Sequence, residues 1–203
     1  MSINDEKLSE VNHAKYLGVL IDNKLKWDYH INSISLKLSK GIGLLAKIRH
    51  FVPKTVLRSL YFSFINPFVE YNLLNWGTAP QTGLNIISNK IKKAIRIISF
   101  KKYDHPSIPL FKDLNILPLD KMIKLSQAKF MWKLNHDLIP PSLRLMFRFN
   151  ERSQLSCIFP RLTAFSQHIT FSGTQLWNDI PNSIKNKFSI KSFTRSMQSF
   201  LAI

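Results

Sequence analysis

The run Lys15-Tyr16-Leu17-Gly18-Val19-Leu20-Ile21-Asp22-Asn23-Lys24-Leu25-Lys26-Trp27 alternates at strand spacing ahead of a long stretch of helical period. Leu17, Val19 and Ile21 fall on one face at strand spacing, and Leu25 and Trp27 resume that alternation after Asp22-Asn23. Asp and Asn tolerate positive φ, so the spacing predicts a β-hairpin that turns at Asp22-Asn23. Lys24 and Lys26 then alternate with the core-facing Leu25 and Trp27, which leaves their cations on the open face. From residue 31 to 48 the period becomes helical. Ile31, Ile34, Leu38, Ile42, Leu45 and Ile48 form one stripe, Asp28 is available as the amino-terminal cap, and Lys37, Lys40 and Lys47 lie off the stripe.

Prolines punctuate the remainder. Pro53 suits a helix start, so a second helix is expected over residues 54 to 64, and Pro67 ends or kinks it. After Thr82-Gly83 a third helix is expected over 84 to 100, with Ile87, Ile91, Ala94, Ile95 and Ile98 inward and Lys90, Lys93 and Arg96 outward. Pro106 and Pro109 mark a break near residue 105. Beyond it, a turn through 114 to 118 leads to a helix over 119 to 136, ended by Pro140-Pro141. Residues 163 to 171 read as a short strand region and Gly173 as a turn. Ile190, Phe193, Met197, Phe200 and Leu201 recur at helical spacing and predict a last helix. The expected architecture is mainly α: an amino-terminal hairpin over 1–28, a basic helical bundle over 29–105, and a small α+β tail domain over 106–203.

Charge is the strongest compositional signal. The chain carries 29 Lys plus Arg against 12 Asp plus Glu, a net +17. Residues 29 to 103 hold 12 cations against Glu70 alone, so they contribute +11 of that total. A merely solvated surface usually interleaves acids with its bases, so this segment points to nucleic acid, with a membrane surface as the lesser rival. The most apolar stretch, 60 to 76, contains Asn66, Pro67, Glu70, Asn72 and Asn75, which argues against a bilayer span. The acidic, polar start Met1-Ser2-Ile3-Asn4-Asp5-Glu6-Lys7 does not read as a secretory signal. A single Cys157 excludes a disulfide framework, a Cys-x-x-Cys redox site and a zinc knuckle. A soluble, intracellular protein, nuclear or cytoplasmic and not secreted, is expected.

Catalytic constellations are few. Two-metal polymerase chemistry needs aspartates held together around hard cations, and the sequence contains no Asp-Asp pair. Asp5-Glu6 reads as a solvated terminal charge. His13, His30, His50, His105, His136 and His168 lack paired metal-ligand spacing, no Gly-x-Ser-x-Gly occurs, and Gly41-Ile42-Gly43 lies within a helical pattern. No catalytic residue, metal ligand or cofactor is assigned to this chain.

Lys15 to Asp22, with Leu25, Trp27, His30 and Ile31, resembles the block that follows the palm in reverse transcriptases of non-LTR (LINE-type) retrotransposons of the jockey-like and CR1-like kind, with Tyr16-Leu17-Gly18 at its centre. The resemblance continues through Lys37-Leu38-Ser39-Lys40, Leu60-Tyr61, Ser63, Ile65, Pro67, Glu70-Tyr71 and Trp76-Gly77. In the tail it takes in Leu117-Pro118-Leu119, Lys133, Pro140, Phe147, Arg161, Phe171-Ser172-Gly173, Leu176-Trp177-Asn178, Ile180-Pro181 and Ser192-Phe193. It implies the carboxy-terminal part of an RNA-directed DNA polymerase: a primer-grip hairpin, a thumb-like bundle and a tail, without the palm, whose aspartates would hold magnesium. The partners it implies are template-primer RNA and DNA and the remainder of a reverse transcriptase.

By that resemblance, with the residue chemistry beside it, the nucleic-acid-binding set is Tyr16, Gly18, Lys24, Lys26, Lys37, Lys40, Lys47, Lys90, Lys93 and Arg96. Gly18 allows close approach to a phosphate, and the cations would make sequence-independent contacts. Tyr16 is as well suited to hairpin packing as to a ligand, whereas Trp27, Phe171, Trp177 and Phe193 read as core. The chain opens about a dozen residues before the grip, which suggests a truncated copy, a fragment of a longer gene or a reused thumb. The alternative is a non-catalytic relic or a reused protein-interaction module whose last helix packs on a partner.

Overall fold

The computed structural model describes residues 2–3, 6–7, 11–149, 155–156 and 168–202. Cys157 and Arg161 lie outside the described residues. The chain is mostly helical, with small two-stranded sheets. It divides into two compact units, Met1–Asn72 with Ala79–His105, and Leu73–Thr78 with Pro106–Ile203.

In the first unit, β1 (Ser2–Ile3) pairs antiparallel with β2 (Glu6–Lys7), and β3 (His13–Tyr16) with β4 (Val19–Asp22). Tyr16 faces Val19 across the β3–β4 ladder, so the turn that joins the paired strands is Leu17-Gly18, and the turn at Asp22-Asn23 follows the hairpin. Leu17 and Gly18 both have positive φ, 46° and 83°, the backbone a two-residue hairpin turn requires and one that glycine adopts without a side-chain penalty. Leu17 and Leu25, both expected on the core face, are instead exposed, while Val19 and Trp27 are buried.

Asp22 ends β4 and opens a separate turn, in which its carbonyl accepts the Leu25 N–H at 3.0 Å. The side chain is buried at 6% exposure and accepts the backbone N–H groups of Lys24 (3.1 Å), Lys26 (3.0 Å) and Trp27 (2.6 Å). Residues 23 to 27 therefore wind around one anion instead of forming the return strand, with Leu25 and Trp27 at positive φ. Left-handed Trp27 flanks α1 (Asp28–Ile48) without a side-chain cap. Asp28 is thus not the cap; it stands in the first turn, where its charge complements the helix dipole.

One face of α1 is buried through Ile31, Ile34, Leu38, Ile42 and Leu45, as its period requires. Pro53 precedes α2 (Lys54–Phe64), and Pro67 opens the short α3 (Asn66–Glu70), supplying a first-turn residue that needs no N–H acceptor. Helix α4 (Leu73–Trp76) belongs to the second unit. Helix α5 (Gln81–Ile98) starts after Pro80, so Thr82-Gly83 lies inside the helix and not ahead of it.

Three pairs of residues mark the α1–α5 register. A Cβ built on Gly83 would meet Ile31 Cδ1 at 3.1 Å, Lys90 Nζ donates to Ser39 Oγ, and the Arg49 guanidinium lies 5.9 Å from the Phe100 ring. Positions rise together along both segments, so the two helices run parallel and in step. Gly41 allows α2 to cross: a Cβ there would stand 3.1 Å from the Phe64 carbonyl oxygen.

In the second unit Pro109 sits in the first turn of α6 (Ile108–Leu114), so the proline-marked break continues as a helix. It is followed by α7 (Leu119–Asn135), α8 (Pro141–Arg144), the antiparallel pair β5 (Arg148–Phe149) and β6 (Leu155–Ser156), α9 (Ile169–Asp179), α10 (Asn182–Lys185) and α11 (Ile190–Ala202). Met131 and Trp132 of α7, Trp177 of α9, and Phe193, Met197 and Leu201 of α11 share one core.

Of the strand expected over 163 to 171, residues 163–167 lie outside the described set, and 169–171 form the first turn of α9. Gly173 is helical and buried, not a turn. A Cβ on it would meet Ile169 Cδ1 at 2.6 Å and Met131 Sδ at 3.0 Å, so these two side-chain ends occupy the space that the missing Cβ leaves between α9 and α7. Packing against α7 overrides the strand preference of Ile169 and Thr170. Among the described residues no helix is long and apolar enough to cross a membrane.

Candidate nucleic-acid interface

The Leu17-Gly18 turn is tied to the helices by Tyr71, just after α3, which donates its hydroxyl to the Leu17 carbonyl at 2.6 Å. A cleft of about 360 Å³ opens beside it, lined by Leu17, Gly18, His30, Ile34, Lys37, Pro67, Phe68 and Tyr71. Lys37 Nζ lies 5.3 Å from the Phe68 ring centroid, within cation–π range. His30 is buried and its Nδ1 accepts the Leu20 N–H at 3.4 Å, which ties β4 to α1. Burial, and then the neighbouring Lys37 charge, hold the His30 pKa below its ordinary value, so its imidazole is neutral at physiological pH.

The ten residues expected to touch nucleic acid separate into three groups. Tyr16, Gly18, Lys24, Lys26 and Lys37 stand at the hairpin end of the unit. Gly18 and Lys37 line the same cleft, Tyr16 is 66% exposed at the end of β3, and Lys24 and Lys26 ride on the loop wound around Asp22. Lys40, Lys90 and Lys93 follow along the parallel helices. Lys90 reaches across the seam to Ser39, beside exposed Lys40, and Lys93 is exposed one turn further on. Lys47 and Arg96 belong to the carboxy-terminal end of the pair. Arg96 is partly engaged there, since its Nε donates to the His105 carbonyl at 2.8 Å and its guanidinium lies over Tyr103 at 5.7 Å.

The sequence assigns no contact to Phe68 or Tyr71, and reads Asp22 only as a turn residue, not as an acceptor of backbone N–H groups. The signal for Asp22 is local, a carboxylate ahead of several N–H groups in a tight loop. Tyr71 acts 54 residues away from its partner, and no local pattern marks it. Trp27, Trp177 and Phe193 are buried and Phe171 is half-buried. Among the described residues no group of three or more His, Cys, Asp or Glu side chains could hold a metal ion.

A hairpin fastened to a basic helical unit is accompanied by similarity to one class of protein, the RNA-directed DNA polymerases of mobile elements. The chain is 27% identical over 141 residues to the RNA-directed DNA polymerase from mobile element jockey of Drosophila melanogaster, covering 66% of this chain and 15% of that protein. It is 23% identical over 130 residues to the probable RNA-directed DNA polymerase from transposon BS of the same fly, covering 63% of this chain and 14% of that protein. The chain therefore matches only about 15% of the length of these curated relatives. No family model and no solved structure matches it.

Proposed function

We propose that this chain is the primer-grip, thumb and tail part of a mobile-element reverse transcriptase, and that it holds template-primer nucleic acid without performing the chemistry. The observation that carries the proposal is the spread of cations over the basic helical unit: Lys37 lines the cleft at the hairpin turn, over Phe68, while Lys90 reaches Ser39 across the parallel α1–α5 pair, beside exposed Lys40 and one turn before exposed Lys93. Cations spaced along adjoining helices suit a phosphate backbone, and they recognise it without reading bases. The similarity to the jockey and BS polymerases supports nucleic acid as the polyanion. Without paired aspartates, the polymerising magnesium site would lie in a palm supplied by the remainder of the enzyme.

The competing reading, a protein-interaction module using the last helix, gains nothing from the fold. Phe193, Met197 and Leu201 of α11 are buried in the core of their own unit.

The test is fluorescence anisotropy of the chain with a labelled RNA–DNA hybrid over a salt series. Binding is expected to weaken with log K falling by roughly 0.7 to 0.9 per neutralised phosphate. No affinity at moderate salt, or affinity no better than for heparin, would end the proposal.

A further inference from the structure

The carboxy-terminal ends of α1 and α5 lie together because the helices are parallel, and this brings two separate stretches of sequence into one patch. Residues 47 to 51 contribute Lys47, Arg49 and Phe51; residues 96 to 105 contribute Arg96, Phe100, Lys101, Lys102 and Tyr103. The only carboxylate in either stretch is Asp104. Phe51 is 84% exposed, Tyr103 83% and Phe100 46%, a concentration of uncovered aromatic surface that folding would ordinarily bury.

The aromatic rings are interleaved with the cations. The Arg49 guanidinium lies 5.9 Å from the Phe100 ring and that of Arg96 5.7 Å from the Tyr103 ring. The loop that presents the rings is anchored by the Arg96 bond to the His105 carbonyl and by the Lys101 N–H, which reaches back to the Arg96 carbonyl at 2.9 Å. Phe100 occupies the left-handed position of this helix stop at φ 55°, where glycine is the usual residue. A bulky side chain is thus kept in an unfavourable backbone conformation and left half in solvent.

Exposed flat rings among cations are what an unpaired strand needs. Bases stack on the rings whatever their sequence, and the cations follow the phosphates. A duplex offers no free base faces, so rings at this place contribute little to holding one. We infer that this patch, centred on Phe51, Phe100 and Tyr103, is a platform for single-stranded nucleic acid, distinct from the duplex-holding surface. It rests on the nucleic-acid reading above. The rise of an α-helix puts Arg49 roughly 18 Å along α1 from Lys37, so a strand leaving the hairpin end of the unit would cross the platform after a few nucleotides.

The test compares a labelled oligouridylate of about 12 nucleotides with a blunt RNA–DNA hybrid of the same length, using the intact chain and its Phe51→Ala/Tyr103→Ala variant. Both side chains are solvent-exposed, and the circular dichroism spectrum and Tm check that the variant folds; Phe51→Ser alone serves if it does not. Single-strand affinity is expected to fall roughly tenfold or more, hybrid affinity to stay within about twofold, and Tyr103→Trp to bind the single strand as well as the parent chain. Equal losses on both ligands, or no loss on either, overturn the platform. A parent chain that binds the hybrid but not the single strand overturns the platform alone, whereas one that binds neither also removes the reading beneath it.

Discussion

The Tyr71 hydroxyl donates a 2.6 Å hydrogen bond to the Leu17 carbonyl, so the end of α3 fixes the position of the hairpin turn. Tyr71→Phe removes that bond and leaves the ring. Since Tyr71 is 54% exposed, the loss belongs at the lower end of the usual range for a hydrogen bond, about 0.5 kcal/mol. The local consequence is larger: the amide protons of β3 and β4 should exchange faster than those of α1. Unchanged exchange in the hairpin would show that the turn holds itself without Tyr71.

Asp22 is a second anchor. Burial pushes its carboxyl pKa up, but the N–H groups of Lys26, Trp27 and Lys24 pull it down further, and the net position is below the ordinary carboxylate value. Asp22→Ala leaves those donors unsatisfied and should cost about 2–4 kcal/mol in urea denaturation. The native pKa lies below the unfolded one, so the ionised carboxylate stabilises the fold fully above about pH 4. That stabilisation is lost as pH falls through the native value. The melting curve of Asp22→Ala should therefore show a weaker acid dependence below pH 4 than the parent chain; superimposable pH profiles would exclude this role.

Lys37→Glu/Lys40→Glu reverses two charges on the exposed side of α1 and should leave the fold intact. Hybrid affinity should drop and the slope of log K against log salt should become shallower by roughly 1.4 to 1.8. The same variant reports on the cleft. Lys37 contributes to holding the His30 pKa down, second to burial, so replacing it with an anion should raise that pKa, as followed by NMR of the imidazole protons. A folded variant with unaltered affinity would remove this face from the interface.

Gly41 and Gly43 stand two residues apart in α1 and should respond oppositely to alanine. A Cβ on Gly43 meets nothing within 4 Å, so Gly43→Ala should stabilise by about 0.5–1 kcal/mol through helix propensity alone. At Gly41 a Cβ stands 3.1 Å from both the Phe64 carbonyl oxygen and Ile65 Cγ1, so the α2 crossing must shift, and Gly41→Ala should lower the Tm. Two changes of the same sign would show that helix propensity, not the crossing, governs this part of α1.

Helix positions were legible because burial repeats with the helical period. Ile31, Ile34, Leu38, Ile42 and Leu45 of α1 and Ile87, Ile91, Ala94, Ile95 and Ile98 of α5 are buried as their spacing requires, with Ile48 half-buried at the helix end, and the α2 limits agree with the proline signal. Local preference failed where tertiary partners outweighed it. Thr82-Gly83 reads as a loop but belongs to α5, where Gly83 packs on Ile31. Ile169 and Thr170 read as strand but start a helix whose Gly173 lies against Met131.

The hairpin shows the same division. The sequence by itself determined that residues near Tyr16 to Asp22 alternate, that basic helices follow, and that their charge is strongly positive, because alternation, helical period and net charge are properties of the linear order. The folded chain pairs its strands about Leu17-Gly18, and the turn that Asp22 opens leads into α1 instead of back along the hairpin. Both sites tolerate positive φ; the first is tied down by a distant Tyr71 hydroxyl reaching Leu17, and the second is wound around Asp22 by three backbone donors. Only the tertiary structure decided that α1 and α5 run parallel, which brings Lys90 to Ser39 and Phe100 to the Arg49 guanidinium. That depends on which faces meet and in which direction, and residue spacing along a single chain carries neither.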